Sequence, residues 1–215
     1  AGGKTGTFTA IRWTHPEHPA FLFGYEDGTF GPDRSITRAE IAAMLVRAVD
    51  RDEVVTGKEF PDVADAHWAK DEIGRVVRMA LMIGYPDGSF HPDAQITRAE
   101  MAALIARLLP EEVAGNAEFT DTAGSWAQDA IAKAAAVGIV NGYEDGTFRP
   151  DATLTRAEAV TMLDRLLGRG PLDGAPQQWP DVTPTHWAYG YIQEASMDHS
   201  YEKQQDGTEK FIPEP

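Results

Sequence analysis

Three arginines occupy the same position of a short motif, Thr-Arg-Ala-Glu, and their setting points to anion chemistry. They are Arg38, Arg98 and Arg156. Thr-x-x-Glu is a capping box, so each arginine is predicted to be the first residue of a helix. A cation there faces the positive end of the helix dipole and costs about 0.3–1 kcal/mol. Because the same cost recurs in each copy, the arginine is expected to have a role.

Two roles fit an arginine at this position. With the free backbone N–H groups of its helix, the planar guanidinium is suited to bind an anion. Alternatively, each arginine bridges to a neighbouring carboxylate and joins the loop to the helix; the candidates are Asp33, Asp93 and Asp151. The sequence leaves both roles open.

The arginines belong to one of two elements that alternate along the chain. The first, called here the TRAE element, extends over residues 23–49, 83–109 and 141–167. The second, the HWA element, contains His-Trp-Ala or Ser-Trp-Ala and begins at Phe60, Phe119 and Trp179. Successive TRAE arginines are separated by 60 and 58 residues. Such self-similarity predicts a repeat architecture.

The order of the elements predicts a closed ring. The chain opens with a TRAE element and ends with an HWA element, and in a ring these two complete one another. We therefore predict one domain over residues 1–215, with repeat parts 21–50, 58–109, 117–168 and 178–211. Residues 187–197 should pack near the N-terminal segment. The alternating residues 8–13 are predicted to form a short strand that pairs with residues 210–212.

Local signals predict where turns and helices begin. Each TRAE element has an Asp-Gly pair, which supplies the positive φ of a tight turn; the aspartates are Asp27, Asp87 and Asp145. A phenylalanine three residues later should anchor the loop in the core: Phe30, Phe90 and Phe148. The TRAE caps are Thr37, Thr97 and Thr155. In the HWA elements, Ser125 with Gln128 forms a predicted capping box, and Asp65 and Thr185 are the equivalent caps.

Composition excludes several classes of partner. The 19 basic and 34 acidic residues give a net charge of −15, which is opposite to what binding to nucleic acid or to an anionic membrane requires. No apolar run reaches about 18 residues, so no membrane insertion is expected. With 0 cysteines, disulfides and thiol catalysis are excluded. The start at Ala1, without Met or a leader, indicates a processed chain or a fragment.

The motifs GYxDGTFxPDxxxTRAE and F-x-D-x(n)-HWA resemble those of the S-layer homology (SLH) domain, although this chain opens with its TRAE element. The resemblance implies an all-α, pseudo-threefold spindle, with a central three-helix bundle of HWA helices and three prongs of TRAE helices. The fold expected from sequence adds to it only the short terminal β-pairing described above. It also implies a monomeric, extracellular module that anchors a bacterial surface protein, such as an S-layer protein, non-covalently to the cell wall. The expected partner is the peptidoglycan-linked secondary cell-wall polysaccharide, whose pyruvylated amino sugar carries a carboxylate.

The resemblance also implies ligand-binding residues in grooves between the prongs. It assigns the sugar carboxylate to Arg38, Arg98 and Arg156. Aromatic walls are expected from three tyrosines, which otherwise pack the loop on its own helix: Tyr25, Tyr85 and Tyr143. Asp27, Asp87 and Asp145 either accept sugar hydroxyls or only form turns. Three tryptophans are interpreted mainly as core, with a groove floor as the alternative: Trp68, Trp126 and Trp187.

No enzyme activity, cofactor or metal ion is predicted. Two carboxylates at suitable spacing can hydrolyse a sugar, but capping explains the TRAE glutamates and no nucleophile motif is present. The acidic loop lacks the alternating ligands of a calcium-binding EF-hand, and the 6 histidines show no metal-ligand spacing. Two alternatives remain beside polysaccharide binding: a protein–protein scaffold that assembles a lattice, and direct binding to peptidoglycan.

Overall fold

The computed structural model describes residues 17–49 and 58–213. Within them lie six helices and four short strands. The helices are α1 (Arg38–Val49), α2 (Lys70–Arg78), α3 (Arg98–Leu108), α4 (Gln128–Ala136), α5 (Arg156–Leu167) and α6 (Tyr189–Ser196). The strands are β1 (Glu17–His18), β2 (Leu172–Asp173), β3 (His199–Lys203) and β4 (Glu209–Ile212). The chain is mostly helical, and the all-α prediction is corrected by this small sheet. None of the described helices is long and apolar enough to cross a membrane.

The TRAE helices begin where the capping boxes predict. The Thr97 hydroxyl accepts a hydrogen bond from the backbone N–H of Glu100, and the Glu100 carboxylate accepts one from the backbone N–H of Thr97. The same reciprocal pair forms at Thr155 and at Thr37. Each box therefore satisfies two backbone donors that a helix start otherwise leaves free.

The HWA helices begin later than predicted and lack a side-chain cap. Their first helical residues follow Ala69, Ala127 and Ala188. Instead, the residue before each tryptophan accepts a hydrogen bond from the backbone N–H two residues further on, just before the helix begins. The accepting atoms are His67 Nδ1, Ser125 Oγ and His186 Nδ1. The predicted caps at Asp65, Ser125 and Thr185 are therefore wrong.

The TRAE helices form most of the core. In the described part of the chain, the extensive helix contacts join α1 with α2, α3 with α4 and α5 with α6. Nearly every residue of α1, α3 and α5 is buried, whereas α2 and α4 each bury only a few residues. Among the described residues, no extensive contacts join α2, α4 and α6 to one another, so the predicted central bundle of HWA helices is not found; each of these helices packs on one TRAE helix instead.

The three TRAE helix starts are tied to one another by backbone hydrogen bonds. Ile36 N donates to Leu154 O at 3.0 Å, Leu154 N donates to Ile96 O at 3.0 Å, and Ile96 N donates to Ile36 O at 3.1 Å. These three bonds form a closed circuit. The residues on either side add antiparallel bridges, Ser35 with Thr155, Thr37 with Gln95 and Thr97 with Thr153.

The last HWA element packs against the start of the described chain, as predicted. Phe21 N and Leu22 N both donate to Ala195 O at 3.1 Å. Trp179 covers Gly24 so closely that a Cβ added there would lie 2.3 Å from the indole. Phe119 covers Gly142 in the same way. The glycine before each groove tyrosine is thus required by an aromatic ring on its backbone.

A small sheet joins the two ends. Its strand order is β1-β3-β4-β2, with β1 and β4 antiparallel to β3, and β2 parallel to β4. Asp206 accepts hydrogen bonds from the Thr208 backbone and hydroxyl in the turn between β3 and β4. The terminal β-pairing is therefore present, but its N-terminal strand is β1; the predicted strand at residues 8–13 lies outside the described residues.

Candidate ligand-binding grooves

The TRAE arginines are buried and connect one repeat to the next. Arg38 is only 5% exposed. Its Nε donates to Phe90 O and its Nη2 to Ile83 O, both at 2.9 Å. Its Nη1 lies 3.4 Å from Glu100 Oε1. All of these partners belong to the following repeat, so the guanidinium links two repeats.

The other two arginines repeat this geometry around the circuit. Arg98 donates to Phe148 O and Asn141 O at 2.8 Å and lies 2.9 Å from Glu158. Arg156 donates to Phe30 O at 2.9 Å and Phe23 O at 3.1 Å, and lies 3.0 Å from Glu40. Each arginine thus bridges to a carboxylate, as the second of the two interpretations predicted. The carboxylate, however, belongs to the capping-box glutamate of the neighbouring repeat. The predicted partners Asp33, Asp93 and Asp151 are wrong.

One groove of about 510 Å³ opens beside the first TRAE helix. Tyr25 and Trp68 line it together with the third arginine, Arg156. Arg34 and Arg47 add two more cations, while the acidic residues in the lining are Glu26, Glu40 and Asp93. This groove therefore combines an aromatic wall with a dense pattern of both charges.

An equivalent groove of about 460 Å³ lies one repeat further on. It is lined by Arg38, Tyr85, Trp126 and Arg107, at the positions of Arg156, Tyr25, Trp68 and Arg47 in the first groove. Pro86 stands where the first groove has Glu26. Its walls are more apolar, with Met82, Ile83, Ile96, Ala103 and Leu104. The two grooves share a frame but differ in polarity.

The third repeat supplies the same side chains. Arg98 lies over the Tyr143 ring at 4.8 Å, as Arg156 lies over Tyr25 at 4.5 Å and Arg38 over Tyr85 at 4.7 Å. Arg165 corresponds to Arg47 and Arg107, and its Nε lies 3.4 Å from the Tyr191 hydroxyl. Each repeat thus offers the same set of one buried arginine, one tyrosine and one outer arginine.

The tryptophans are exposed, so their interpretation as core residues is wrong. Trp68 is 57% exposed, Trp126 68% and Trp187 61%. The residue after each of them is the buried one, since Ala69, Ala127 and Ala188 are all nearly inaccessible. Trp68 and Trp126 lie in groove walls, which favours the alternative interpretation. An exposed indole face is a suitable platform for an apolar face of a ligand.

The tyrosines are held by the capping-box glutamates. The Tyr25 hydroxyl donates to Glu40 at 2.9 Å, that of Tyr85 to Glu100 at 2.6 Å and that of Tyr143 to Glu158 at 3.4 Å. Partial burial raises the pKa of Tyr25 and of Tyr85, and the hydrogen bond to Glu100 adds to the effect at Tyr85. The phenols of Tyr25 and Tyr85 therefore stay protonated donors at neutral pH. Each tyrosine therefore serves both its loop and its groove wall.

The loop aspartates are engaged in their own turns. Asp27 and Asp145 each accept hydrogen bonds from the backbone and hydroxyl of the threonine two residues on, and Asp87 does so from Ser89. Bonds from the Thr147 hydroxyl and backbone, with a further one from Arg149, lower the pKa of Asp145 to about 2. Asp27 and Asp87 are not among the residues that line the two grooves described above.

A second arginine lines each of the two described grooves and was not among the residues predicted from the sequence. Arg47, Arg107 and Arg165 follow the TRAE arginine by nine residues in each copy. Arg47 lies over the Phe23 ring at 4.9 Å, at the edge of the first groove. Its recurrence at a fixed place in the repeat is a sequence signal for a role in the groove. A basic residue in the last turn of a helix also has an ordinary explanation in the helix dipole, so the recurrence alone does not distinguish the two roles.

Aspartates of the HWA elements hold the groove loops from behind. Asp62 accepts hydrogen bonds from the backbone N–H groups of Phe90 and His91, and Asp121 from those of Phe148 and Arg149. Asp181 does the same for Phe30 and Gly31. The phenylalanines are fully buried, which confirms their predicted role as anchors. The groove walls therefore rest on a rigid support.

Comparison with known proteins identifies relatives of this arrangement. A family model described as "S-layer homology domain" matches residues 21–42, 59–102 and 118–160. The chain is 41% identical to Cell surface glycoprotein 1 of Acetivibrio thermocellus over 91% of its own length and 9% of that protein. It is 41% identical to the Cellulosome-anchoring protein of the same organism, over 91% of the chain and 46% of that protein. It is 32% identical to an S-layer protein of Bacillus licheniformis, over 60% of the chain and 15% of that protein.

The chain thus spans less than half of each of these relatives. Catalytic proteins also match, among them an endoglucanase from a Bacillus species, of which the chain covers 16%. What the relatives share with this chain is a segment carried by proteins of different activities. The matches place the chain at the cell surface, at the cell wall.

Proposed function

Because the chain belongs to the S-layer homology domain family, we propose that it anchors a surface protein by binding secondary cell-wall polysaccharide in its grooves. The proposed ligand is an acidic amino sugar whose pyruvyl ketal presents a carboxylate. The three grooves would be arranged around the pseudo-threefold axis implied by the closed circuit at Ile36, Ile96 and Leu154. The chain acts as a binding module, and any activity belongs to the protein that carries it.

The observation that supports this function is the pairing of an exposed indole with two arginines in one concave site. In the second groove these are Trp126, Arg38 and Arg107. A sugar ring presents an apolar face that packs on an aromatic surface, and its carboxylate requires a fixed cation. A volume of about 460 Å³ lies within the usual range for small-ligand sites.

The two arginines have different parts in the proposed mechanism. The N–H donors of Arg38 are already engaged by two backbone carbonyls and by Glu100. Arg38 therefore forms the groove floor and holds Tyr85 and Glu100 in place. Arg107, nine residues further along its repeat than Arg98, lies in the same lining and is the better candidate for direct contact with the carboxylate. Asp27, Asp87 and Asp145 keep a proposed role only for sugar hydroxyls that reach the turns.

The net charge of −15 shapes this recognition. An acidic protein is repelled from an acidic polymer over the range of the Debye length, about 8 Å at physiological ionic strength. Attraction must therefore be local and confined to the groove arginines. We expect weak non-specific adhesion and selective binding where a single terminal sugar fits a groove.

The decisive experiment compares purified cell-wall sacculi before and after removal of the secondary polymer. The protein should sediment with intact sacculi and stay in solution with stripped ones. Trp126→Ala should weaken sedimentation, whereas Ile212→Ala, which removes an exposed apolar side chain of β4 outside the described grooves, should not. Undiminished binding to stripped sacculi would refute the polysaccharide proposal and favour direct peptidoglycan binding.

A lattice scaffold predicts a different result. In that case the purified chain should self-associate or capture another surface protein in the absence of any glycan. Sedimentation-velocity measurements at increasing protein concentration test this directly. Release of reducing sugar from the sacculi would instead indicate catalysis.

A further inference from the structure

Four side chains meet inside the protein at the junction between the small sheet and the last HWA helix. His18 comes from β1, Glu194 from α6, His199 from β3 and Glu209 from β4. All four are buried, and one ligand atom from each lies within 4.8 Å of the other three. We call these residues the junction cluster. They lie up to 191 residues apart in the chain and outside the groove linings described above.

The polar atoms of the junction cluster face one another. His199 Nε2 lies 2.7 Å from Glu194 Oε2. His18 Nδ1 lies 2.7 Å from Glu194 Oε1 and 3.1 Å from Glu209 Oε2. Among the described residues, no group outside the cluster bonds to His199 Nε2, Glu194 Oε2 or Glu209 Oε2. Buried ionisable groups either pair with one another or coordinate a metal, so this convergence leaves two possible explanations.

The surrounding residues orient these side chains toward a common point. His199 Nδ1 lies 2.9 Å from Met197 O, which fixes the ring with Nε2 facing the cluster. Gly170 N donates to Glu209 Oε1 at 3.0 Å, which leaves Oε2 directed inward. The His18 ring stacks on Tyr201 at 4.0 Å. Histidine ligands of metals are usually held in this way, through the ring nitrogen that does not bind the metal.

We propose that the junction cluster binds one divalent transition-metal ion, and that zinc is the ion it fits best. Two imidazole nitrogens and two carboxylate oxygens are a suitable tetrahedral set for zinc. Tetrahedral bonds of about 2.0–2.1 Å place the ligand atoms about 3.3 Å apart. The closest pairs, at 2.7 Å, must therefore separate by about 0.6 Å, and the more distant atoms, which lie within 4.8 Å of one another, must approach. The two glutamates balance the charge of the ion.

Charged groups near the junction cluster offer an alternative to metal binding, which the experiment must exclude. Arg169 Nη1 lies 3.6 Å from Glu194 Oε1, and Lys203 Nζ lies 3.9 Å from Glu209 Oε1. The buried carboxylate of Asp164 interacts electrostatically with Glu194, Arg169 and Glu209. Without a metal, direct contacts of the two histidines and Arg169 with the glutamates would hold the cluster together. With a metal, both histidines are neutral and the ion ties β1, near the start of the chain, to α6 and β4 near its end. Such a clamp would close the domain without a disulfide, which a chain with 0 cysteines does not have.

Zinc titration of the full chain, without a histidine tag and after dialysis against chelator, tests the proposal. We expect one zinc per chain by calorimetry and by elemental analysis, and a higher Tm with zinc present. Glu209→Gln and His199→Gln should each lower zinc affinity by more than about 100-fold. His91→Asn is the matched control, since His91 lies in a loop outside the junction cluster and its substitution should leave binding unchanged.

A second measurement keeps the test valid if a variant fails to fold. Cobalt added to the unaltered protein should give the strong visible absorption of a tetrahedral site, and zinc should abolish it. Absence of both stoichiometric zinc binding and the cobalt spectrum in the unaltered protein would overturn the proposal and leave direct contacts between the histidines and the glutamates as the explanation. Equal zinc binding by Glu209→Gln, His199→Gln and the unaltered protein would overturn it as well, because the metal would then lie elsewhere.

Discussion

Asp181 accepts a hydrogen bond from the backbone N–H of Gly31 at 2.7 Å, across 150 residues of sequence. A second bond joins the same carboxylate to Phe30 N at 2.9 Å. The equivalent aspartates, Asp62 and Asp121, hold loops fewer than 30 residues away. The same contact between an aspartate and a loop therefore joins neighbouring elements in the first two copies. In the last copy it joins the last HWA element to the first TRAE element.

We expect Asp181→Ala to lower the free energy of unfolding by about 1.5–3 kcal/mol, since two charge-assisted hydrogen bonds are lost. Urea denaturation measures the effect. Asp121→Ala is the matched control, because it breaks the same contact between neighbouring elements. Hydrogen exchange at Phe21 and Leu22, whose N–H groups bond to Ala195, should speed up more in Asp181→Ala than in the control. Equal exchange in both variants would show that Asp181 does not hold the ends together.

Arg98→Ala should destabilise the protein by about 3–5 kcal/mol, because it leaves the Glu158 carboxylate without its buried partner and two carbonyls without a donor. Arg98→Lys should recover only part of this loss, since an ammonium cannot form the same planar set of bonds. Thermal or urea unfolding of the two variants is the measurement. A loss below about 1 kcal/mol for Arg98→Ala, the level of a surface ion pair, would mean that the repeat-to-repeat link contributes little.

Arg107→Ala should separate ligand binding from stability. Arg107 lies in the wall of the second groove, so its loss should lower glycan affinity about tenfold, or about 1.4 kcal/mol. The free energy of unfolding should change by less than about 0.5 kcal/mol. Lys210→Ala removes the same charge from an exposed position on β4 and should leave affinity unchanged. If both variants weaken binding equally, overall charge rather than the groove is responsible.

Stability should fall at acid pH through the loop-holding aspartates. Burial alone would raise the pKa of Asp62, but the backbone N–H groups of Phe90 and His91 outweigh it and lower the pKa. The pKa of Asp121 is lowered in the same way by Phe148 and Arg149. The folded-state pKa lies below the unfolded value of about 3.9. This contribution is therefore complete above about pH 4 and is lost as pH falls through the folded-state pKa.

Asp62→Asn tests that dependence. The variant should have a lower Tm than the unaltered protein at pH 7, and the difference should shrink as the pH falls below about 4, the unfolded-state pKa. Asp71→Asn, at an exposed position of α2, is the control and should show no such convergence. A difference in Tm that stays constant from pH 7 to about pH 3 would contradict the assignment.

The sequence by itself determined the features that depend on neighbours along the chain. The capping boxes at Thr37, Thr97 and Thr155 form as predicted, because their partners are three residues away and any helix start requires them. The Asp-Gly turns and the buried phenylalanines follow for the same reason. Repetition then indicated the family and the packing of the last element against the first.

Tertiary structure alone decided which residues meet across repeats. The partner of Arg98 is Glu158 rather than Asp93, because the helix start faces the next repeat and not its own loop. Trp126 is exposed because its HWA helix packs outside the TRAE helix, a choice that an apolar residue type does not reveal. His18 and Glu194 are 176 residues apart, so no spacing in the sequence predicts their contact. Long-range pairing depends on how the elements are stacked, and the sequence encodes that only through the packing of the whole core.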